Sequence, residues 1–189
     1  MRRITYGAAV SLDGFLAGAD GSIDWLHFSK DVQQVIADYW KNVDTLLWGR
    51  KTYDFSVARK PPTSAKKPVK AKSSKPKEST MRNYVFSRTL KVLEDPSVEL
   101  VTSDAVEFIR ALKQRPGKEI CLMSGGALAQ SLLAANLVDE IRLIIHPILL
   151  GSGIPTFRDP GHRIKLSLFE CRQLEGGCVL ASYKVLHAK

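Results

Sequence analysis

Only three cysteines, Cys121, Cys171 and Cys178, occur in the 189 residues. The set is odd and sparse, with no CxxC pair and no histidine at metal-ligand spacing, so it reads as buried thiols in a reducing compartment and against a disulfide framework or a zinc site. His27, His146, His162 and His187 are the only histidines, and they are scattered without an HxxxH pair, so no metal is expected. Long apolar runs are missing as well. The longest uncharged stretch, Ile120 to Val138, carries Ser124, Gly125, Gly126, Gln130, Ser131 and Asn136 and is too polar in its middle for a membrane-spanning helix. The start, MRRITYGAAVSLDG, has two arginines before apolar residues, but Asp13 ends that stretch too early for a secretory signal. A soluble, cytoplasmic protein is expected. There is no internal repeat and no GxGxxG fingerprint, so an ordinary Rossmann domain is not supported.

Acids are also scarce, 19 against 28 basic residues, for a formal net charge of +9. The charge is concentrated. Arg59 to Lys77, RKPPTSAKKPVKAKSSKPK, contains eight basic residues, four prolines and no acid or aromatic residue, so the rest of the chain is close to neutral. Such a segment cannot bury enough apolar surface to offset its ordering entropy and is expected to be a mobile surface insertion. Spaced lysines do attract phosphate, but without aromatic side chains to stack on bases a nucleic-acid role is not favoured. With 44% apolar and 25% charged residues, the remainder is ordinary globular sequence, sized for one domain with a sizeable core.

Strands and helices alternate along it. Ile4 to Val10 reads as a strand, the Gly- and Asp-rich segment Asp13 to Trp25 as a long ordered loop, and Val32, Val35, Ile36, Tyr39, Trp40 and Val43 as one face of a helix capped by Ser29. Thr45 to Trp48, Asn83 to Phe86, Val98 to Val101, Glu119 to Met123 and Ile141 to Ile145 are short apolar strands. Helices are predicted after Gly49, after Ser103 or Asp104, and after the Gly125-Gly126 pair. Ile164 to Cys171 and Val179 to Leu186, separated by Glu175-Gly176-Gly177, form a hairpin signal. The pattern implies an α/β sheet, mostly parallel and covered on both faces, with an antiparallel C-terminal edge.

Three strand ends carry groups suited to anions. In LMSGGALAQSLL a strand meets a helix through two glycines, which exposes backbone N–H groups at the positive end of the helix dipole and lets a ligand approach closely. In LLWGRKTYD a strand ends at Gly49 and Arg50, Lys51 and Thr52 begin a helix. Ser87 and Arg88 follow a third strand. Each has a bland reading as a tight turn or a solvated helix start. Three of them at the carboxyl end of one sheet suggest a dinucleotide lying across it.

The order AAVSLDGFLA, Asp24-Trp25, WGRKTYD, VFSRTL, MSGGALAQSLL and HPILLGSGIPTF resembles the dihydrofolate reductase fold. It is more narrowly similar to reductase-like proteins related to the C-terminal domain of the bifunctional riboflavin-biosynthesis deaminase-reductase. The resemblance spans nearly the whole chain apart from the basic insertion. It implies a three-layer fold with a mixed sheet of about eight strands, NADPH as hydride donor and commonly a homodimer. By position it puts Ala9 and Leu16 beside the nicotinamide, Gly49, Arg50, Lys51 and Thr52 at the cofactor phosphates, and Ser87 and Arg88 at the ribose 2′-phosphate. It puts Ser124, Gly125, Gly126, Ala127 and Leu128 at the pyrophosphate.

The sequence also departs from that pattern. The riboflavin reductases often place a Glu before the paired glycines, where this chain has Ser124. Dihydrofolate reductases place a carboxylate at the start of the first long helix, and here Asp31 is one residue out of register, with Asp24 the other acid in reach. These two are the candidate proton donors, set against ordinary roles at a helix start and a turn. Trp25, Trp40 and Trp48 read as core residues, and His146 as a strand-end histidine. The expected function is NADPH-dependent reduction of a small heterocyclic or ribosylaminopyrimidine substrate. The alternatives are a dihydrofolate reductase, a non-catalytic nucleotide-binding protein, and an RNA-binding module using the basic loop.

Overall fold

The structure is a computed structural model that describes residues 1–58, 81–93 and 95–187. Arg59 to Lys77, expected as a mobile insertion, lies outside the described residues. In chain order the strands are β1 (Ile4–Ser11), β2 (Phe15–Ala17), β3 (Val43–Gly49), β4 (Arg82–Phe86), β5 (Val98–Val101), β6 (Glu119–Met123), β7 (Glu140–His146), β8 (Ile154–Pro155), β9 (Lys165–Gln173) and β10 (Val179–Leu186). The helices are α1 (Lys30–Trp40), α2 (Arg50–Ala58), α3 (Ala105–Gln114) and α4 (Gly126–Ala134).

Eight strands form one sheet in the order β5-β4-β3-β6-β1-β7-β10-β9. The first six run parallel, and β10 is antiparallel to both β7 and β9. The expected mostly parallel sheet with an antiparallel C-terminal hairpin is therefore what forms. β1 lies at its centre, in register with β6 through Ile4 and Ile120 and with β7 through Ala9 and Ile144. Its two faces enter different layers. Ile4 and Tyr6 join Leu47, Ile120, Leu122, Ile109, Leu112 and Leu132 in the main core under α3 and α4. On the opposite face, Val32 of α1 packs with Ile144, Leu174, Cys178 and Leu180. Burial on both sides is why the inner strands read as nearly continuous apolar text.

The caps follow the sequence. Ser29 accepts the Val32 N–H at the start of α1, and Asp104 accepts the Glu107 N–H at the start of α3. Gly176 and Gly177, at φ 79° and 78°, turn the chain between β9 and β10 in the left-handed region that glycine tolerates. Two expectations are corrected. The segment Asp13 to Trp25 is not all loop, because Phe15–Ala17 is the strand β2, and the loop after His146-Pro147 contains β8. These pair antiparallel with each other. Strands of three and two residues are too short to show a period, and their partners are far apart in sequence.

Candidate active site

Because β4, β3, β6 and β1 are parallel neighbours, their carboxyl ends share one edge of the sheet. Gly49 is paired with Phe86 and Trp48 with Met123, so Arg50, Ser87 and Ser124 leave the sheet side by side. Neighbouring segments pack closely there. A Cβ on Gly49 would collide with the Ser124 hydroxyl and touch Leu128, and one on Gly125 would come within 2.5 Å of the Leu16 side chain. Leu16, Gly49, Ser124, Gly125 and Leu128, expected on separate segments to meet a cofactor, are thus brought together. Gly125 caps α4 without any side-chain hydrogen bond, and Gly126 holds φ at +64°. The first N–H groups of α4 therefore have no side-chain acceptor, the condition under which a helix start receives an anion.

Arg50 is half-buried and its Nε donates to Asp54 across 2.7 Å along α2. Lys51 and Arg88 are exposed, and no ion pair holds either among the described residues. Thr52 is half-buried in the first turn of α2. The Ser87 hydroxyl accepts the Leu90 N–H at 3.0 Å and so closes its own turn. Ser124 is buried and donates to the Gly125 carbonyl at 3.0 Å, while Ala127 is exposed on the first turn of α4.

Ala9 lines a cavity of about 410 Å³ between α1 and the sheet, together with Tyr39, Trp40, Met123, Arg142 and Glu170. Arg142 pairs with Glu140 at 2.9 Å and lies 5.7 Å from the ring centres of both Tyr39 and Phe169. Neither candidate acid lines this cavity. Asp24 is exposed, and Asp31 accepts the Glu175 N–H at 3.2 Å, tying the start of α1 to the hairpin turn. The acids that do line it are Asp38 and Glu170. Hydrogen bonds from Gln34 and Lys41 hold the Asp38 carboxyl below its ordinary range, so it is ionised at neutral pH. Glu170 accepts from Ser182 at 3.1 Å and pairs with Arg172 at 2.9 Å. The groups there that keep a proton are Tyr39, raised by burial, and Cys121, pushed up to about 12 by burial.

His146 does not open onto substrate. It is buried, its Nδ1 accepts the His27 N–H at 3.3 Å and lies 3.4 Å from the Cys178 sulfur, and Trp25 meets its ring edge-on. Two residues went unread in the sequence. Asp13 accepts the backbone N–H groups of Leu150 and Gly151 and holds the loop before β8 in place. Arg158, in the loop after β8, stands over Gly126. Asp13 lies within AAVSLDGFLA but reads there as a turn residue, Arg158 falls just after HPILLGSGIPTF, and their partners are distant in sequence.

A family model described as the RibD C-terminal domain matches residues 2–180. The chain belongs to this family. Among curated relatives of this RibD C-terminal domain, the uncharacterized protein YyaP of Bacillus subtilis is 36% identical over 186 residues, 96% of this chain and 94% of its own length. Among solved structures, a Shewanella sp. PV-4 protein assigned to riboflavin biosynthesis superposes with TM-score 0.78 at 26% identity, covering 99% of this chain and 100% of that one. The Thermotoga maritima diaminohydroxyphosphoribosylaminopyrimidine deaminase/5-amino-6-(5-phosphoribosylamino)uracil reductase superposes at 0.69 with 19% identity, covering 98% of this chain and 57% of that one. The fold of this RibD C-terminal domain is that of the dihydrofolate reductases, as the motif order implied.

Proposed function

We propose that the protein is an NADPH-dependent reductase acting on a small heterocycle of the ribosylaminopyrimidine kind, the chemistry of 5-amino-6-(5-phosphoribosylamino)uracil reduction. The observation that carries this reading is the convergence of the carboxyl ends of β3, β4 and β6 beside the start of α4, whose first N–H groups have no side-chain acceptor. The phosphates of a dinucleotide suit such a helix start. Gly49 and the first turn of α2 suit one phosphate, Ser124 to Leu128 the pyrophosphate, Ser87 and Arg88 the ribose 2′-phosphate, and Ala9 and Leu16 flank the nicotinamide. When bound, the cofactor supplies the hydride.

The chain's own residues bind and orient the reactants. The cavity beside Ala9 takes the acceptor heterocycle, its walls formed by Tyr39, Trp40 and Met123. With Asp38 ionised and Glu170 engaged by Ser182 and Arg172, the proton that accompanies the hydride comes from water entering this cavity. Asp31 is occupied by Glu175, which disfavours a dihydrofolate reductase whose acid begins the first helix. No helix among the described residues is long and apolar enough to cross a membrane, and the free thiols of Cys121, Cys171 and Cys178 suit a reducing cytoplasm. Two copies are joined through the uncovered strand β9.

Titration with NADPH tests the reading. Quenching of tryptophan fluorescence and a raised melting temperature are expected, since ligand at 100 times its Kd adds about 2.7 kcal/mol of stability. If millimolar NADPH does neither, the reductase reading fails. Binding without turnover of a ribosylaminopyrimidine would favour the non-catalytic alternative.

A further inference from the structure

The cavity beside Ala9 runs on along β1 toward the amino end of the strand. Thr5, Gly7 and Ala9 share one face of β1, because successive side chains of a strand alternate. At about 3.3 Å per residue, Thr5 lies roughly 13 Å from Ala9. Gly7 and Ala9 both line the cavity. A Cβ on Gly7 would meet nothing within 4 Å, so the space over it is open and not a packed turn.

Polar groups flank that space in a row set by the sheet. Gly7 is in register with Arg142, Arg142 with Ser182, and Ser182 with Glu170. A register shift leaves Phe169 as an extra residue beside Glu170, and such a bulge re-aims side chains. Here the Phe169 ring meets Arg142 at 5.7 Å while Glu170 lines the cavity. The buried Glu140 carboxylate accepts from Arg142 Nε at 3.3 Å and from Nη2 at 2.9 Å, which fixes the guanidinium and leaves Nη1 to donate elsewhere. At the inner end the Tyr39 hydroxyl stands beside the Cys121 thiol and the Thr5 hydroxyl. Both hydroxyls are buried without a hydrogen-bond partner among the described residues, and Thr5 is 0% exposed. Buried polar groups left this way are costly, so they point to a ligand that pairs with them.

Charge limits what that ligand is. Asp38 and Glu170 line the same walls as Arg142 and Arg172. Two carboxylates among two arginines are adverse to a phosphate dianion. Interleaved donors and acceptors instead suit hydroxyl groups, each of which donates and accepts.

We infer that the cavity between Thr5 and Ala9 binds an uncharged, polyhydroxylated side chain of the acceptor heterocycle, held over Gly7 by Arg142, Tyr39 and Glu170. The inference rests on the reductase reading and narrows it to a substrate class, a heterocycle whose sugar-derived tail carries no phosphate.

The test is calorimetric titration of the full chain, with and without NADPH, using 5,6-diaminouracil, 5-amino-6-ribitylaminouracil and the 5′-phosphate of the latter. The ribityl compound should bind at least about ten-fold more tightly than either of the others, as two or more hydrogen bonds would give. Tyr39→Phe removes a hydroxyl that has no partner in the free protein, so its melting temperature should match or exceed that of the wild type. It should nevertheless weaken the ribityl compound about three- to ten-fold and leave NADPH unchanged. Gly7→Val fills the open space and should abolish the ribityl preference while NADPH still binds. If the ribityl compound and diaminouracil bind alike, or the phosphate binds more tightly, the inference is overturned, and binding of NADPH keeps the reductase reading. A Tyr39→Phe protein that melts early and keeps the full preference shows a structural hydroxyl and also overturns it. A wild type that prefers the ribityl compound but does not bind NADPH overturns the reductase reading and keeps the tail site; one that binds none of them overturns both.

Discussion

His146, 2% exposed, has its ring boxed in by the His27 backbone, Cys178 and Trp25. Burial, and then the neighbouring His27, lower its pKa from the ordinary 6.5. The unfolded chain therefore takes up a proton at His146 at a higher pH than the folded chain does. Stability from this group is complete above about pH 6.5 and is lost as pH falls through the lowered folded value. Asp13 and Asp38, both held below the ordinary carboxylate range, titrate in a lower window. The urea midpoint should thus drop between pH 7 and pH 5, and His146→Gln should flatten that slope. An equal slope in the variant would show that another group is responsible.

At the scale of elements, α1 has Val32 as its one fully buried residue. Its placement depends on its first turn. Ser29 caps the Val32 N–H, and Asp31 reaches the Glu175 N–H across the hairpin turn. Ser29→Ala should cost about 1 kcal/mol in a urea titration, and because α1 forms one wall of the cavity, it should also weaken substrate more than dinucleotide. Equal weakening of the two ligands would detach α1 from the substrate side. The spacing of apolar residues revealed α1 and its cap, since both are local. The β2–β8 pair escaped notice because two strands this short exist only through each other.

In the whole molecule, β9 stands out. It is the last strand of the sheet, eight of its nine residues are exposed, and Leu166, Leu168 and Phe169 are among them. An edge strand with apolar groups on both faces is a ready surface for a second copy, and a two-fold axis would pair it with itself. Light scattering should report a dimer, and Leu168→Glu should convert it to a monomer with little change in the fold of each copy. A wild-type monomer at micromolar concentration would remove this assembly.

The sequence by itself determined the sheet, the helices α1, α3 and α4 with their caps, and the glycines at Gly49, Gly125 and Gly126, because propensity, period and turn chemistry act over a few residues. The family was legible for the same reason: its motifs sit at strand ends that read one at a time. Which acids face the cavity was decided only by tertiary structure, since Asp31 is drawn to Glu175 and Glu170 arrives from a strand more than a hundred residues later. The position of Arg158 was decided in the same way. Only the packing of the β8–β9 loop on Tyr6, Gly14 and Gln130 sets it against the start of α4.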